Sequence, residues 1–254
     1  MVEIKGASFS YTSGKKQYEV FRDLSFSVKD EEFFCIVGPS GCGKSTLLKI
    51  IAGFEKLSGG EIANDGQEIA GIHYERAMVF QEDAVFPWMN VYSNIEYGLK
   101  MRGVAETARK EIVTSYIGLV GLEGFEKAYP KELSGGMKKR VDLARVLANN
   151  PKLLLMDEPF GALDAMTKEK LQEKLVQMWE VSKKTIIFIT HDIEEALFLG
   201  DRIAIMQNIR HGGEFAIFDV PFTRPRNIFL KEDQGFQHMR REIVEEFKKY
   251  EEEN

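Results

Sequence analysis

A chain of 254 residues that is 44% hydrophobic can bury a sizeable core, as one large domain or two modest ones. Its net charge of -6 is spread along the whole length, which argues against a nucleic-acid binder that relies on an overall positive field. No basic-then-apolar segment opens the sequence, no apolar run approaches the roughly 20 residues that span a bilayer, and the two cysteines, Cys35 and Cys42, read as buried or backbone-flanking thiols suited to a reducing, cytoplasmic compartment.

Strand-type runs are expected at Val2 to Phe9, Leu24 to Val28 and Glu32 to Val37. The third leads into Gly38-Pro39-Ser40-Gly41-Cys42-Gly43-Lys44-Ser45, which fits the P-loop pattern G-x-x-x-x-G-K-[ST] and is followed by a helical run, Ser45 to Ala52. Glycines at those positions let successive backbone N–H groups curl around phosphate oxygens, and the helix start adds positive potential. Lys44 would hold the β and γ phosphates and Ser45 would ligate Mg²⁺.

A further strand is expected at Arg76 to Phe80, after which the strand signal stops. From Gln81 to Asn150 helical patterns take over, as in Ile112, Val113, Tyr116, Leu119 and Val120, and this stretch reads as a helical insertion in an α/β core. Within it, Leu133-Ser134-Gly135-Gly136-Met137 precedes a helical run, Lys138 to Ala148. Ser134 and the two glycines present a hydroxyl and N–H groups at a helix start, either as a second anion cradle or as a bare N-cap.

Strands follow at Lys152 to Met156, Thr185 to Thr190 and Arg202 to Met206, and the unbroken apolar runs Leu153 to Met156 and Ile186 to Ile189 predict a mostly parallel sheet covered on both faces. The first delivers Asp157 and Glu158 to the sheet edge, where Asp157 would hold Mg²⁺ through its water shell and Glu158 could polarise an attacking water. A strand ending in an exposed acidic turn is the alternative, which the upstream P-loop disfavours. Between those strands, Leu171, Leu175, Met178 and Trp179 mark one buried face of a helix over Ala165 to Val181. The end of the chain, Glu232 to Asn254, is highly charged but keeps Phe236, Met239, Ile243 and Phe247 on one stripe, as expected of a surface helix docked on the core.

Together these motifs resemble the ABC ATPase family, whose signature sequence is the Leu133 to Met137 element, and the resemblance covers nearly the whole chain. It implies a P-loop NTPase (RecA-like) α/β fold: a mostly parallel sheet core with an N-terminal antiparallel β subdomain and an inserted α-helical subdomain. The implied single domain divides into a nucleotide-binding core at 1–83 and 151–215, a helical signature subdomain at 84–150 and a C-terminal helical extension at 216–254. By the same resemblance Gln81 matches the Q-loop glutamine that touches Mg²⁺ and water, Gly161-Ala162-Leu163-Asp164 the D-loop that crosses a dimer interface, and His191 the switch histidine that contacts the γ-phosphate. Tyr11 is similar to the aromatic that stacks on adenine, with Phe9 and Tyr18 near enough to substitute.

Gly38 to Ser45 with Thr46, Phe86-Pro87-Trp88, the signature and Met156-Asp157-Glu158-Pro159-Phe160-Gly161-Ala162-Leu163-Asp164 resemble the nitrate/sulfonate/taurine importer ATPases in particular. Departures from that branch are Lys138-Lys139 in place of its usual glutamine, Glu31 where glycine usually precedes the glutamate, and His211-Gly212-Gly213 where a Pro-Gly pair is common. The resemblance implies a head-to-tail homodimer in which each P-loop site is closed by the other copy's Ser134 to Gly136. It also implies membrane permease subunits contacted beside Gln81, an extracytoplasmic solute-binding protein, a peripheral place on the cytoplasmic face of the membrane, and no nucleic acid. Phe86 to Met89 reads either as that permease contact or as local core. Soluble ABC ATPases of DNA repair, chromosome structure or translation usually carry coiled-coil insertions, zinc cysteines or tandem cassettes, which this sequence does not show. A non-catalytic module would be expected to lose Lys44, Glu158 or His191, and all three are present.

Overall fold

A computed structural model of the chain describes residues 1–14, 16–82, 84–206 and 215–252. The motif at 211–213 and the last two residues of the expected C-terminal helix therefore lie outside the described residues. Two sheets organise the rest. Strands β3 (Phe33–Val37), β6 (Arg76–Val79), β7 (Leu153–Asp157), β8 (Thr185–Thr190) and β9 (Arg202–Ile205) pair in parallel, and β10 (Ala216–Asp219) adds an antiparallel edge, giving the order β10-β9-β3-β8-β7-β6.

Every residue of β3, β7 and β8 is buried, and the pleat sends alternate side chains into two separate cores. Phe33, Cys35, Val37, Leu154, Met156, Ile186 and Phe188 face one core, which Leu171, Leu175 and Trp179 of helix α5 (Ala165–Ser182) help to fill. Phe34, Ile36, Leu153, Leu155, Ile187 and Ile189 face the other, filled by Leu47, Leu48, Ile50 and Ile51 of α1 (Lys44–Ala52). Continuous apolar runs in the sequence are thus the signature of a sheet that divides two cores rather than of a half-solvated one.

The second sheet is antiparallel, in the order β2 (Lys16–Val28), β1 (Val2–Ser13), β4 (Gly59–Asn64), β5 (Gln67–Glu68). In β1 the buried positions are Val2 and Ile4, then Ala7 and Phe9, so the phase flips once. The pairing of β1 with both neighbours shifts at that point, where Gly6 has φ 57°; an extra bulged residue is what moves the inward set from even to odd positions. β1 and β2 run well past the expected spans, since their outer ends carry exposed residues such as Tyr11, Thr12, Lys16, Gln17 and Tyr18 that give no alternation, with only Phe21 buried in the added part of β2. β4, β5 and β10 were not legible at all: of β4 only Ile62 is buried, and β10 is four half-exposed or exposed residues.

Between β6 and β7 lie α2 (Val91–Met101), α3 (Glu106–Leu119) and α4 (Gly135–Ala148), whose apolar faces, including Ile95, Leu99, Val113, Ile117, Val141 and Leu147, join the first core. The sheet also runs on past residue 215, where the sequence suggested only a helical extension, since β10 pairs residue for residue with β9. Helix α7 (Gln234–Glu252) then docks Phe236, Met239 and Ile243 beside α6 (Ile193–Leu199).

This C-terminal segment is fastened by a buried arginine. Arg226 donates to the carbonyls of Leu197, Phe198 and Gly200 at 3.2, 3.1 and 2.7 Å, and to that of Phe222. It thereby satisfies the orphan carbonyls at the end of α6. Burial lowers its pKa to about 10, so it remains charged at neutral pH. Replacing Arg226 by Met should leave those carbonyls unpaired and cost on the order of 2–4 kcal/mol of stability, read as a fall in unfolding midpoint in denaturant.

Candidate active site

Because β3, β6, β7 and β8 run parallel, the residues that follow each of them emerge at the same edge of the sheet. After β3 the chain turns at Gly38 directly under a backbone carbonyl: a Cβ there would lie 2.1 Å from the Met206 oxygen. Gly41 and Gly43 hold φ of 82° and 102°, left-handed values that favour glycine, and Gly43 caps α1 without a side-chain hydrogen bond. The first-turn N–H groups of α1 are left for an anion. Lys44 is buried within this loop, its Nζ donating to the carbonyls of Gly38 and Pro39 at 2.8 Å each. Cys35 and Cys42 are both free thiols; burial raises both pKa values, an effect that Lys44 partly offsets at Cys42.

At the end of β7, Asp157 is buried and burial raises its carboxyl pKa, against the opposing effects of a Ser45 hydrogen bond and the Lys44 and Lys49 charges. Ser45, Lys49, Phe80, Gln81, Glu82, Ala84 and Asp157 line one cavity of about 360 Å³. Glu158, at φ 45°, is a non-glycine residue in the left-handed region, a conformation that costs roughly 1 kcal/mol or more and persists where surroundings impose it. Its N–H donates to the Ile189 carbonyl at 3.0 Å, which continues the β7–β8 register one residue beyond the sheet. The same register carries His191 alongside, with Nδ1 3.2 Å from Glu158 Oε2. His191 is mostly exposed and its neighbour Asp192 caps α6, accepting from the N–H groups of Glu194 and Glu195. Burial pushes the Asp192 carboxyl up, but the Lys168 ammonium at 2.8 Å and the cap hydrogen bonds outweigh it and hold the pKa below the usual range.

Residues 21–161 match the family model described as ABC transporter. The chain belongs to the ABC transporter family. It is an ATP-binding, ATP-hydrolysing subunit of that family, and its relatives agree over most of their length. It is 41% identical to the aliphatic sulfonates import ATP-binding protein of Bacillus cereus over 98% of this chain and 96% of that protein. It is 46% identical to the taurine import ATP-binding protein of Rhizobium johnstonii over 88% and 86%, and 44% identical to the nitrate import ATP-binding protein of Synechocystis over 82% and 78%. Among solved structures it is similar to a dimeric post-hydrolysis ATP-binding cassette bound to ADP and Pi, with a TM-score of 0.79 and 30% identity over 88% of this chain and all of that one.

Not every residue expected at an ABC ATPase site meets in one place. Ser134 caps α4, its Oγ accepting from the Met137 N–H at 3.3 Å, and a Cβ on Gly135 would face open space. Gly136 lies against Ala162 and Leu163, so the signature and the Gly161 to Asp164 turn are neighbours, but none of Ser134 to Met137 lines the cavity that holds Ser45 and Asp157. Asp164 caps α5 through the Thr167 N–H, which lowers its pKa. Tyr11 is exposed, with its hydroxyl 3.4 Å from Thr46 Oγ1. Of the two alternatives, Phe9 is buried and packs edge-on against the Tyr11 ring, while Tyr18 faces Tyr11 across the β1–β2 ladder and is exposed. Sequence reasoning passed over Lys49, although its spacing of four from Ser45 puts both on one face of α1.

Because the native pKa of Asp157 is raised, between the unfolded value of 3.8 and that raised value the native state keeps a proton the unfolded state has lost. Stability therefore falls as pH rises through that window and the loss persists at neutral pH. Asp157→Asn should melt a few degrees higher than the parent at pH 7 without nucleotide, with the gap closing below pH 4.

Proposed function

We propose that this ATPase subunit pairs head-to-tail with a second copy around two molecules of Mg-ATP and uses the closing and opening of that dimer to drive a membrane permease importing a small solute of the nitrate, sulfonate or taurine kind. The observation that carries this reading is the separation of two anion-binding helix starts: the P-loop at α1 opens on the cavity, and Ser134 to Met137 at α4 lies apart from it. A two-fold contact lets each copy's signature complete the other's site. The dimeric cassettes among the similar structures support that arrangement, and the names of the relatives support the solute class.

Each residue then has a definite task. Gly38, Pro39, Ser40, Gly41, Cys42, Gly43 and Thr46 shape the phosphate loop, Lys44 turns its ammonium from loop carbonyls to phosphate oxygens, and Tyr11 offers its ring to adenine. Ser45, Gln81 and Asp157 would hold Mg²⁺: a hydroxyl, an amide and one carboxylate in a shared cavity, completed by phosphate oxygens and water, are the hard-oxygen set this ion takes. The ion would neutralise charge on the phosphates. Glu158 accepts the proton of the attacking water, and His191, held 3.2 Å from its carboxylate, contacts the γ-phosphate. Asp164 lies on the turn that meets the second copy.

Among the described residues no helix is long and apolar enough to cross a membrane. We therefore assign membrane attachment to the permease, with the subunit peripheral on the cytoplasmic face and a solute-binding protein acting from the other side. The segment Phe86 to Met89 divides: Phe86 is half-buried under the Arg145 guanidinium, whereas Trp88 is 69% exposed. Trp88 rims a cavity of about 290 Å³ whose lining mixes Met89, Tyr97, Met101 and Tyr129 with Glu96 and Lys100, a surface suited to an amphipathic permease segment.

Glu158→Gln preserves shape but cannot accept a proton, so ATP turnover should fall by roughly 10²-fold or more while ATP still binds, and the variant should accumulate as an ATP-bound dimer in light scattering. Near-normal turnover would remove Glu158 from its role. Trp88→Ala should leave the isolated subunit's ATPase rate and melting temperature unchanged and reduce co-purification with the permease.

A further inference from the structure

Lys139 is a charged side chain that is 1% exposed, in the middle of α4. Burying an ammonium is unfavourable unless its hydrogens are taken up. This one donates to the backbone carbonyls of Phe80 and Gln81, the second at 2.9 Å, in the stretch that follows β6 and places Gln81 on the lining of the cavity shared with Ser45 and Asp157.

The far end of the same connection is held in a similar way. Asn94 of α2, also fully buried, accepts from the Phe86 N–H at 2.8 Å and donates to the carbonyls of Phe86, Met89 and Asn90. Arg145, six residues further along α4, lies over the Phe86 ring at 5.0 Å. Six residues of α-helix rise about 9 Å, so α4 is long enough to reach both Phe80–Gln81 and Phe86. Both stretches are therefore fastened to the inserted helices through buried polar groups, while the last ladder contact to the sheet is Val79 with Met156.

We infer that Lys139 is a positioning residue: through its hydrogen bonds to the Phe80 and Gln81 carbonyls, the signature helix α4 sets where Gln81 stands in the cavity that also holds Ser45 and Asp157. The inference rests on the role proposed above for Gln81 and adds the group that places it.

The test is a double-variant cycle on the full chain, reading kcat and KM for Mg-ATP hydrolysis. Lys139→Met keeps the apolar length and loses the donors: kcat should fall about tenfold or more while KM changes less than about twofold, since misplacement rather than lost binding is the defect. Lys139→Gln, whose amide can still donate to a carbonyl, should recover most of that rate. Gln81→Ala should lower kcat by itself, and adding Lys139→Met to it should lower kcat no further, because the lysine acts only through Gln81. Losses that multiply in the double variant, or a Lys139→Met protein with parental kcat, overturn the inference while leaving the Gln81 role intact. Gln81→Ala at the parental rate instead removes the Gln81 role and the inference with it. Should Lys139→Met not stay folded by thermal melting, Lys139→Gln carries the same cycle: its smaller loss must vanish in the Gln81→Ala background, and persistence of that loss counts against the inference.

Discussion

Parallel pairing of β3 with β8 and of β8 with β7 is the constraint on which the rest of the molecule depends. Parallel strands bring the ends of distant chain segments to one edge, and here those ends carry Gly38, Asp157 and His191. A slip of one residue between β7 and β8 would turn every side chain of the shifted strand to the opposite core and separate Glu158 from His191. The apolar filling of two cores therefore fixes the 3.2 Å approach of two polar groups that contribute little to that filling.

The helical parts are joined to one another, and to the connection after β6, by more than apolar contact. Apolar packing brings them together, but cations on backbone carbonyls fix their positions: Lys139 on Phe80 and Gln81, Arg226 on the end of α6, Arg140 on Val120 and Gly121, and Lys174 on Gly118 and Leu119. Several of these carbonyls lie at helix ends or in connections, where backbone groups lack ladder partners. A long side chain reaching such a group is directional in a way that leucine against leucine is not.

The site also shows stability given up for chemistry. Glu158 sits in the left-handed region, and Asp157 is buried as a carboxylate against its own preference. In the function proposed above, phosphates and a divalent ion would offset the electrostatic part of that cost.

Much of this was legible in the sequence because it rests on local chemistry. Gly38 to Ser45 specify a phosphate loop wherever a buried strand precedes and a helix follows, Asp164 and Ser134 are helix caps by type, and unbroken apolar runs such as Ile186 to Ile189 require cover on both faces. The resemblance of those motifs to the ABC ATPases supplied Gln81 and His191, which no local rule would single out. What only the tertiary structure decided are contacts between segments far apart in sequence with no pattern of their own. The glycine-rich strand β4 pairs only because β1 lies beside it, β10 only because β9 offers an edge, and Tyr11 reaches Thr46 only because the hairpin folds over the loop. Lys138-Lys139 looked like a mere departure in a signature helix. Burial separates the two lysines: one remains half-exposed, and the other, one residue on and turned inward, donates to the backbone at Phe80 and Gln81.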